Sequence, residues 1–293
     1  MANNVKFGVE EKTSAMQPGG KPSITVMLPH SFASDIPSLR EATVRIGFVG
    51  RVLATFRVEE LLLYPDKPGS PDIRNARLVK EILDYLTTAP YLRKKLYPLK
   101  QSLRYAGLLP PLNIQTHPNA DAVREEGVHY RQALVTASGE TSTVEAGLGR
   151  LLKIHKKLPK NSIVNLKITV KAGRIKYKLL PKKSSEVYTG FRTRIAYSLA
   201  EELKRYGARI ATSRLGMPVT EAFQRLAELM KSSGRVCVVF GASDRGLREI
   251  AEDLGLEYDQ LFSITVNFAP NQAVKTIRTE EALAYTLAIL NTI

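Results

Sequence analysis

The densest group of residues able to do chemistry lies near the C-terminus, in "TVNFAPNQAVKTIRTEEALAYTLAIL". A polar loop carrying Asn267, Pro270, Asn271 and Gln272 runs into Arg278, Thr279, Glu280 and Glu281. A carboxylate there can take a proton from a substrate nitrogen or hydroxyl, and an arginine can hold phosphate or steady an oxyanion. Helix chemistry accounts for part of the pattern. Thr279 suits an N-cap, Glu280 and Glu281 suit the positive end of a helix dipole, and Arg278 could lock both carboxylates by ion pairing. The second group is "GASDRG" (241–246), two glycines at a strand-to-helix turn. Leu247 and Arg248 stand where a P-loop needs Lys and Ser/Thr, and the third glycine of a dinucleotide fingerprint is missing. The loop is either an ordinary turn or a place where backbone approaches a ligand closely. His30, His117, His129 and His155 are scattered without metal-ligand spacing, so no metal site is expected. Cys237, the single cysteine, sits inside "VCVVF" and reads as core.

These groups need strands to present them. "SITVMLP" (23–29) reads as a strand, followed by a helix from Pro37 to Thr43 or further. "VLATFRVEELLLY" leads to a strand ending at Tyr64, and "NARLVKEILDYLTTA" (75–89) is an amphipathic helix stopped by Pro90. Further on, "TRIAYSLAEELKRYG" reads as a helix on Ile195, Leu199 and Leu203, ended by Gly207. "ARIATS" is a strand and "TEAFQRLAELMKSSG" a helix; "RVCVVFG" is a strand covered on both faces, and "LREIAEDLG" a helix. "LFSITVNF" is a strand before the last helix. Alternating strands and helices predict a parallel sheet, which binds ligands beyond the carboxyl ends of its strands.

The chain has 293 residues and a net charge of +15. Between Asp121 and Lys183 fourteen Lys/Arg face five Asp/Glu, so this stretch holds much of the excess. It follows a Pro-rich connector, its apolar residues alternate, and "KAGR" reads as the turn of a hairpin. About five short strands predict a small barrel, with an oligonucleotide-binding (OB) fold as the leading form. A basic module of this kind points to nucleic acid. No apolar run reaches membrane-span length and no signal stretch opens the chain, so a cytoplasmic protein without membrane attachment is expected.

Three segments carry a family resemblance. "RIGFVGRVLATFRVEELLLY" (45–64) resembles the first motif of the SPOUT superfamily of RNA methyltransferases, with Gly47 and Arg51 matching and Arg45 in the place of an Asn. "VVFGASDRGL" (238–247) resembles its glycine-bounded cofactor loop, with Ser243 where some branches have Glu. "TIRTEEALAYTLAIL" resembles its last motif, with Arg278 and Glu280 where other branches read Asn-x-Ser. This variant, with "PYLRKKLYP" and "LRYAGLLPPL" before the barrel, resembles the archaeal and eukaryotic subfamily that inserts an OB-like barrel into the SPOUT domain.

The resemblance implies an α/β fold: a knotted parallel-sheet methyltransferase domain over 21–117 and 186–293 and an inserted OB-like β-barrel over 118–185; the first 20 residues, with "MQPGGKP", read as a flexible N-terminal arm. It implies S-adenosylmethionine as cofactor, held around Phe240, Gly241, Gly246, Asn267, Phe268, Thr276 and Ile277. It implies a homodimer formed through the knot, with Arg51 reaching the partner's site. Arg278, Glu280 and Glu281 are the other catalytic candidates. Lys153, Lys156, Lys157, Lys171, Arg174, Lys176 and Lys178 are expected to hold RNA phosphates, and Tyr130 or Tyr177 to stack a base. The expected activity is methylation of a base in ribosomal RNA. A non-catalytic RNA-binding assembly factor and a protein methyltransferase remain as alternatives.

Overall fold

The computed structural model describes residues 22–69, 72–118, 125–181 and 186–293. The arm expected over 1–20 lies outside the described residues. The chain begins β1 (Ser23–Pro29), α1 (Leu39–Thr55), β2 (Glu60–Tyr64), α2 (Ile73–Thr87) and α3 (Pro90–Leu96). It continues β3 (Gly127–Ala137), β4 (Ser142–Glu145), β5 (Leu151–Ile154), β6 (Ile163–Lys171), β7 (Arg174–Leu179), β8 (Arg192–Ile195) and α4 (Leu199–Leu203). It ends β9 (Ala208–Pro218), α5 (Val219–Ser232), β10 (Arg235–Val239), α6 (Leu247–Asp253), α7 (Tyr258–Leu261), β11 (Ile264–Asn267) and α8 (Thr279–Leu290).

Six strands form a parallel sheet in the order β11-β9-β10-β1-β2-β8. Side chains alternate across a strand, so a sheet covered on both faces needs apolar residues at every position. In β1 and β2, Val26, Leu28, Leu61 and Leu63 join one core with Ile46 of α1, Leu83 of α2, Leu226 of α5 and Leu287 of α8. Met27, Leu62 and Tyr64 point the other way, into a core with Leu203 of α4 and Ile250 of α6. Cys237 is in that second core, free and buried, and burial pushes its thiol well up, so it is inert.

Five strands form a separate antiparallel sheet, β5-β4-β3-β6-β7, around a third core that includes Val135, Val144, Leu166 and Ile168. The sheet curls: the Tyr177 hydroxyl on edge strand β7 donates to the Lys153 carbonyl on the opposite edge, β5, at 3.2 Å. The β6–β7 turn is Ala172-Gly173, both at positive φ (48° and 73°), the two-residue geometry that matches strand twist.

Two expectations are corrected. The stretch read as one helix from "TRIAY" onward begins instead as edge strand β8, which pairs with β2 from Arg192–Glu60 to Ile195–Leu63. Ile195, Leu199 and Leu203 share a helical spacing, but Ile195 belongs to the strand. The helix starts only where the Ser198 hydroxyl caps the Glu201 amide. At the last helix the N-cap is Arg278, not Thr279. The Glu281 carboxylate accepts the Arg278 backbone N–H at 3.0 Å, which leaves Thr279 as a buried first helical residue.

Candidate functional site

Three loops meet at one end of the parallel sheet, one interrupting β9 and the others following β10 and β11. Along β11, Thr265 pairs with Ala211 but its neighbour Val266 pairs with Met217, so residues 212–216 loop out of β9. Gly216 returns the chain to the sheet. A Cβ there would lie 2.8 Å from the backbone of Thr265 and Val266, a distance only glycine permits. The loops are then tied together. Asn267 Nδ2 donates to the Arg214 carbonyl (2.8 Å), Arg214 Nη1 to the Lys275 carbonyl (3.1 Å), and Thr212 Oγ1 to the Val239 carbonyl (3.0 Å). Sequence reasoning missed 212–218 as part of the site. The signal was Gly216 and Pro218 interrupting a strand pattern.

The 241–246 loop folds on itself: the Ala242 N–H donates to the Arg245 carbonyl at 3.0 Å, and a Cβ on Gly241 would lie 2.9 Å from that oxygen. Arg245 anchors the loop to β2. Its Nη2 lies 3.1 Å from Asp66 Oδ2, and its Nη1 donates to the Asp66 carbonyl and to Asp253. Asp66 is fully buried and also accepts from the Ser31 hydroxyl (2.7 Å) and amide (3.2 Å). Phe240 donates its N–H to Met27 and accepts the Tyr64 hydroxyl at 2.6 Å. Burial holds that phenol well above its ordinary value, so it stays a donor. Of the expected cofactor residues, Phe240 and Phe268 are buried, Gly241, Asn267 and Ile277 half-buried, and Gly246 and Thr276 exposed. All lie on these loops, at one end of the sheet.

The catalytic candidates are partly committed elsewhere. Glu280 is bound by Arg45 of α1, Nε to Oε2 at 2.7 Å, and Arg45 Nη1 also reaches Asp35 at 3.1 Å. The guanidinium sits 5.4 Å from the Phe32 ring centroid. The residue that replaces the motif Asn thus bridges the loop after β1, α1 and the start of α8. Glu281 is spent on capping. Arg278 is exposed and forms no ion pair among the described residues, so it does not lock the two carboxylates. Arg51 Nη1 donates to the Pro111 and Leu112 carbonyls at 2.8 and 2.5 Å. One turn earlier, a Cβ on Gly47 would strike Leu109 and Pro110 at 2.8 and 2.9 Å. Both matched residues of the first motif therefore seat the connector that leads to the second sheet.

That second sheet is docked on α2 and α3. Gln132 Oε1 accepts the Ala89 amide (2.7 Å), and Gln132 Nε2 and His117 Nε2–H both donate to the Thr87 carbonyl (2.9 and 3.0 Å). Burial drives the His117 imidazole down to about 4, so it is neutral. Arg131, wholly buried, lies 4.5 Å from the Tyr91 ring centroid and donates to the Ala146 carbonyl.

All seven cations expected to face RNA are exposed. On β7 the alternation puts Arg174, Lys176 and Lys178 outward and Ile175, Tyr177 and Leu179 inward. The register sets Lys171 opposite Arg174 and Lys167 opposite Lys178. Like charges directly opposite each other destabilise a sheet, and a polyanion relieves that cost. The Tyr177–Lys153 link brings Lys153 on β5 to the same seam. Glu186 partly offsets the charge, pairing with Lys167 and lying 3.6 Å from Lys178. Lys156 and Lys157 follow β5. Tyr130 is half-buried, its ring 6.0 Å from Lys167 Nζ.

Residues 23–290 match the family described as "Putative RNA methyltransferase", and the chain belongs to it. An uncharacterized protein of Haloarcula marismortui is 32% identical over 282 residues, which cover 91% of this chain and 98% of that protein. The human 28S rRNA (uridine-N(3))-methyltransferase is 29% identical over 320 residues, covering 96% of this chain and 81% of the relative. The Drosophila melanogaster protein of the same description is 26% identical over 306 residues, covering 92% of this chain and 61% of its own length. No helix among the described residues is long and apolar enough to cross a membrane.

Proposed function

We propose that this protein is an S-adenosylmethionine-dependent ribosomal RNA methyltransferase acting on N3 of a uridine. The observation that carries the cofactor site is the convergence of the 212–216 loop within β9 with the loops after β10 and β11. There Gly216 and Gly241 let the loops pack closely on protein main chain, and the largely exposed 270–276 segment borders them. Gly241 lets the loop close on its own Arg245 carbonyl, and Gly246 is exposed with open space where a Cβ would stand, which leaves main chain accessible to an adenosine. The relatives' shared description supplies the uridine nitrogen. Within this reading, 21–117 and 186–293 form the SPOUT domain, with the close Gly216 passage at its trefoil knot, and 118–185 form an OB-like insert that holds RNA. Val44 and Phe48 on α1, each nearly half exposed, form part of a homodimer face. A cytoplasmic location belongs to the same proposal.

When bound, S-adenosylmethionine supplies a sulfonium methyl whose leaving group is neutral, so no acid is needed on that side. The protein's task is alignment, which is a large part of such a barrier. The N3 proton must leave, and Glu280, whose Oε2 lies 2.7 Å from Arg45 Nε, is the proposed acceptor. Exposed Arg278 holds a substrate phosphate. Arg51 spends Nη1 on the connector and serves the site across the dimer. Arg51→Ala is expected to lose turnover and keep cofactor affinity, and equal turnover would remove Arg51 from the mechanism. Calorimetric titration with S-adenosylmethionine tests the whole reading. Saturable binding near one per chain is expected; a folded sample that binds RNA but no cofactor would instead be an RNA-binding factor.

A further inference from the structure

Methylation at uridine N3 has a geometric consequence. That nitrogen lies on the base-pairing edge, so the target must be unpaired when it reacts. A single strand held by the antiparallel sheet must then reach the carboxyl end of the parallel sheet. Two grooves lie along that route. One, of about 790 Å³, starts where the second sheet is seated and is lined by Pro90, Lys94, Lys100 and Arg104. The other, of about 600 Å³, is lined by Arg74 and Arg77 of α2 and by the loop after β1, including Ser34 and Pro37. Both are lined by Gln101, where they join. The far end of the second groove adjoins Asp35, which reaches Arg45 and through it Glu280 at the mouth of α8.

The charges in the grooves fall into two kinds. Arg93 is structural: it caps α2 by donating to the Thr88 and Leu86 carbonyls and stacks on Tyr85 at 4.8 Å. Lys100 is tied to Glu81 at 2.6 Å. Arg74, Arg77, Lys94 and Arg104 are exposed and have no carboxylate partner among the described residues. Four cations without an ion-pair partner along one joined groove cost the fold self-repulsion, and of the four Arg104 alone is shown against a ring, 5.5 Å from the Tyr105 centroid. Fully exposed Leu99 stands on the same lip, an apolar group with nothing of the protein to cover.

We propose that these joined grooves are a single-stranded RNA track that carries the strand from the basic β-sheet to the methyl-transfer site. Arg74, Arg77, Lys94 and Arg104 hold its phosphates, and Leu99 packs on a base. The proposal deepens the function above and rests on it.

The test is the full-length variant R74Q/R77Q/K94Q/R104Q, with a fluorescein-labelled oligouridine as binding probe and tritiated methyl transfer to ribosomal RNA as activity. A single strand loses about 0.7 in salt slope per phosphate contact removed, so the slope should fall by roughly 3. KM for RNA should rise at least about tenfold by the same loss of contacts, with kcat and melting temperature unchanged. An unchanged slope and KM, with K171Q/R174Q impaired, would overturn the track. Photo-crosslinking of a 4-thiouridine oligonucleotide to the wild type guards against a misfolded variant: crosslinks on α2 and residues 94–104 are expected, and crosslinks confined to the antiparallel sheet would overturn it. If the wild type transfers no methyl but the slope still falls, the methyltransferase reading fails while the track stands.

Discussion

Arg245→Met should unseat the 241–246 loop, and the magnitude follows from what it leaves behind. Asp66 is fully buried, with Arg245 as its cation and Ser31 as its remaining donor. Removing one partner of a buried pair costs roughly 3–5 kcal/mol, chiefly because the other charge stays buried. The two Ser31 hydrogen bonds remain, and the Arg245 side chain is 20% exposed, so screening reduces the loss to about 2–3 kcal/mol. For a chain of this size that is a fall of very roughly 5–10 °C in melting temperature. The companion change Asp66→Asn removes the stranded charge, so the double variant should recover part of the loss, with a coupling energy above about 1 kcal/mol. Calorimetry on the four proteins gives the cycle. S-adenosylmethionine affinity should fall about tenfold in Arg245→Met, the equivalent of ~1.4 kcal/mol of lost loop order. A coupling near zero, with cofactor affinity intact, would refute the assignment of Arg245 as the anchor of the loop.

Gly216→Ala should be among the most damaging single-methyl changes in the molecule. Its Cβ meets backbone at 2.8 Å rather than a side chain that can turn away. A loss of about 1–3 kcal/mol in denaturant unfolding, with weakened cofactor binding, is expected. Acid should loosen the seat of the second sheet through His117. Its folded value of about 4 lies below the usual 6.5, so the unfolded chain takes the proton first. Its stabilisation is complete above about pH 6.5 and is lost as the pH falls toward 4, on the order of 3 kcal/mol at most. His117→Gln should flatten urea midpoints between those limits, where buried His30, also depressed by burial, leaves a residual slope. Arg45→Gln and Glu280→Gln should each slow methyl transfer. If Glu280 takes the proton, Glu280→Gln lowers kcat at least about tenfold more than Arg45→Gln, with cofactor affinity kept in both; equal losses in the two variants would leave the pair a purely structural strut.

The parts of this protein legible from sequence are those where local pattern and tertiary role coincide. "VCVVF" within "RVCVVFG" is apolar at every position because both faces of β10 are covered, and "KAGR" is a turn because Ala172 and Gly173 take positive φ. Helical spacing misled at Ile195, because an edge strand followed at once by a capped helix preserves an i, i+4 alignment across the break. Within the site, the loops at 241–246 and 267–278 were legible through glycine and polar content. The 212–216 loop was not, because its defining feature is a register skip against β11, a strand some fifty residues later. Arg45 was noticed as an exchange for Asn, but its bond to Glu280 spans 235 residues and has no local signature. Nor could spacing show that Arg51 holds the connector carbonyls, since the partner is main chain.

The measurement that bears most directly on the account is methyl transfer itself. Purified protein, tritiated S-adenosylmethionine and unmodified ribosomal RNA are incubated together, and the RNA is digested to nucleosides for mass spectrometry. The account predicts label in N3-methyluridine, lost with Arg51→Ala and reduced with Glu280→Gln. Label in a ribose methyl or in protein, or RNA binding with no label at all, would contradict it.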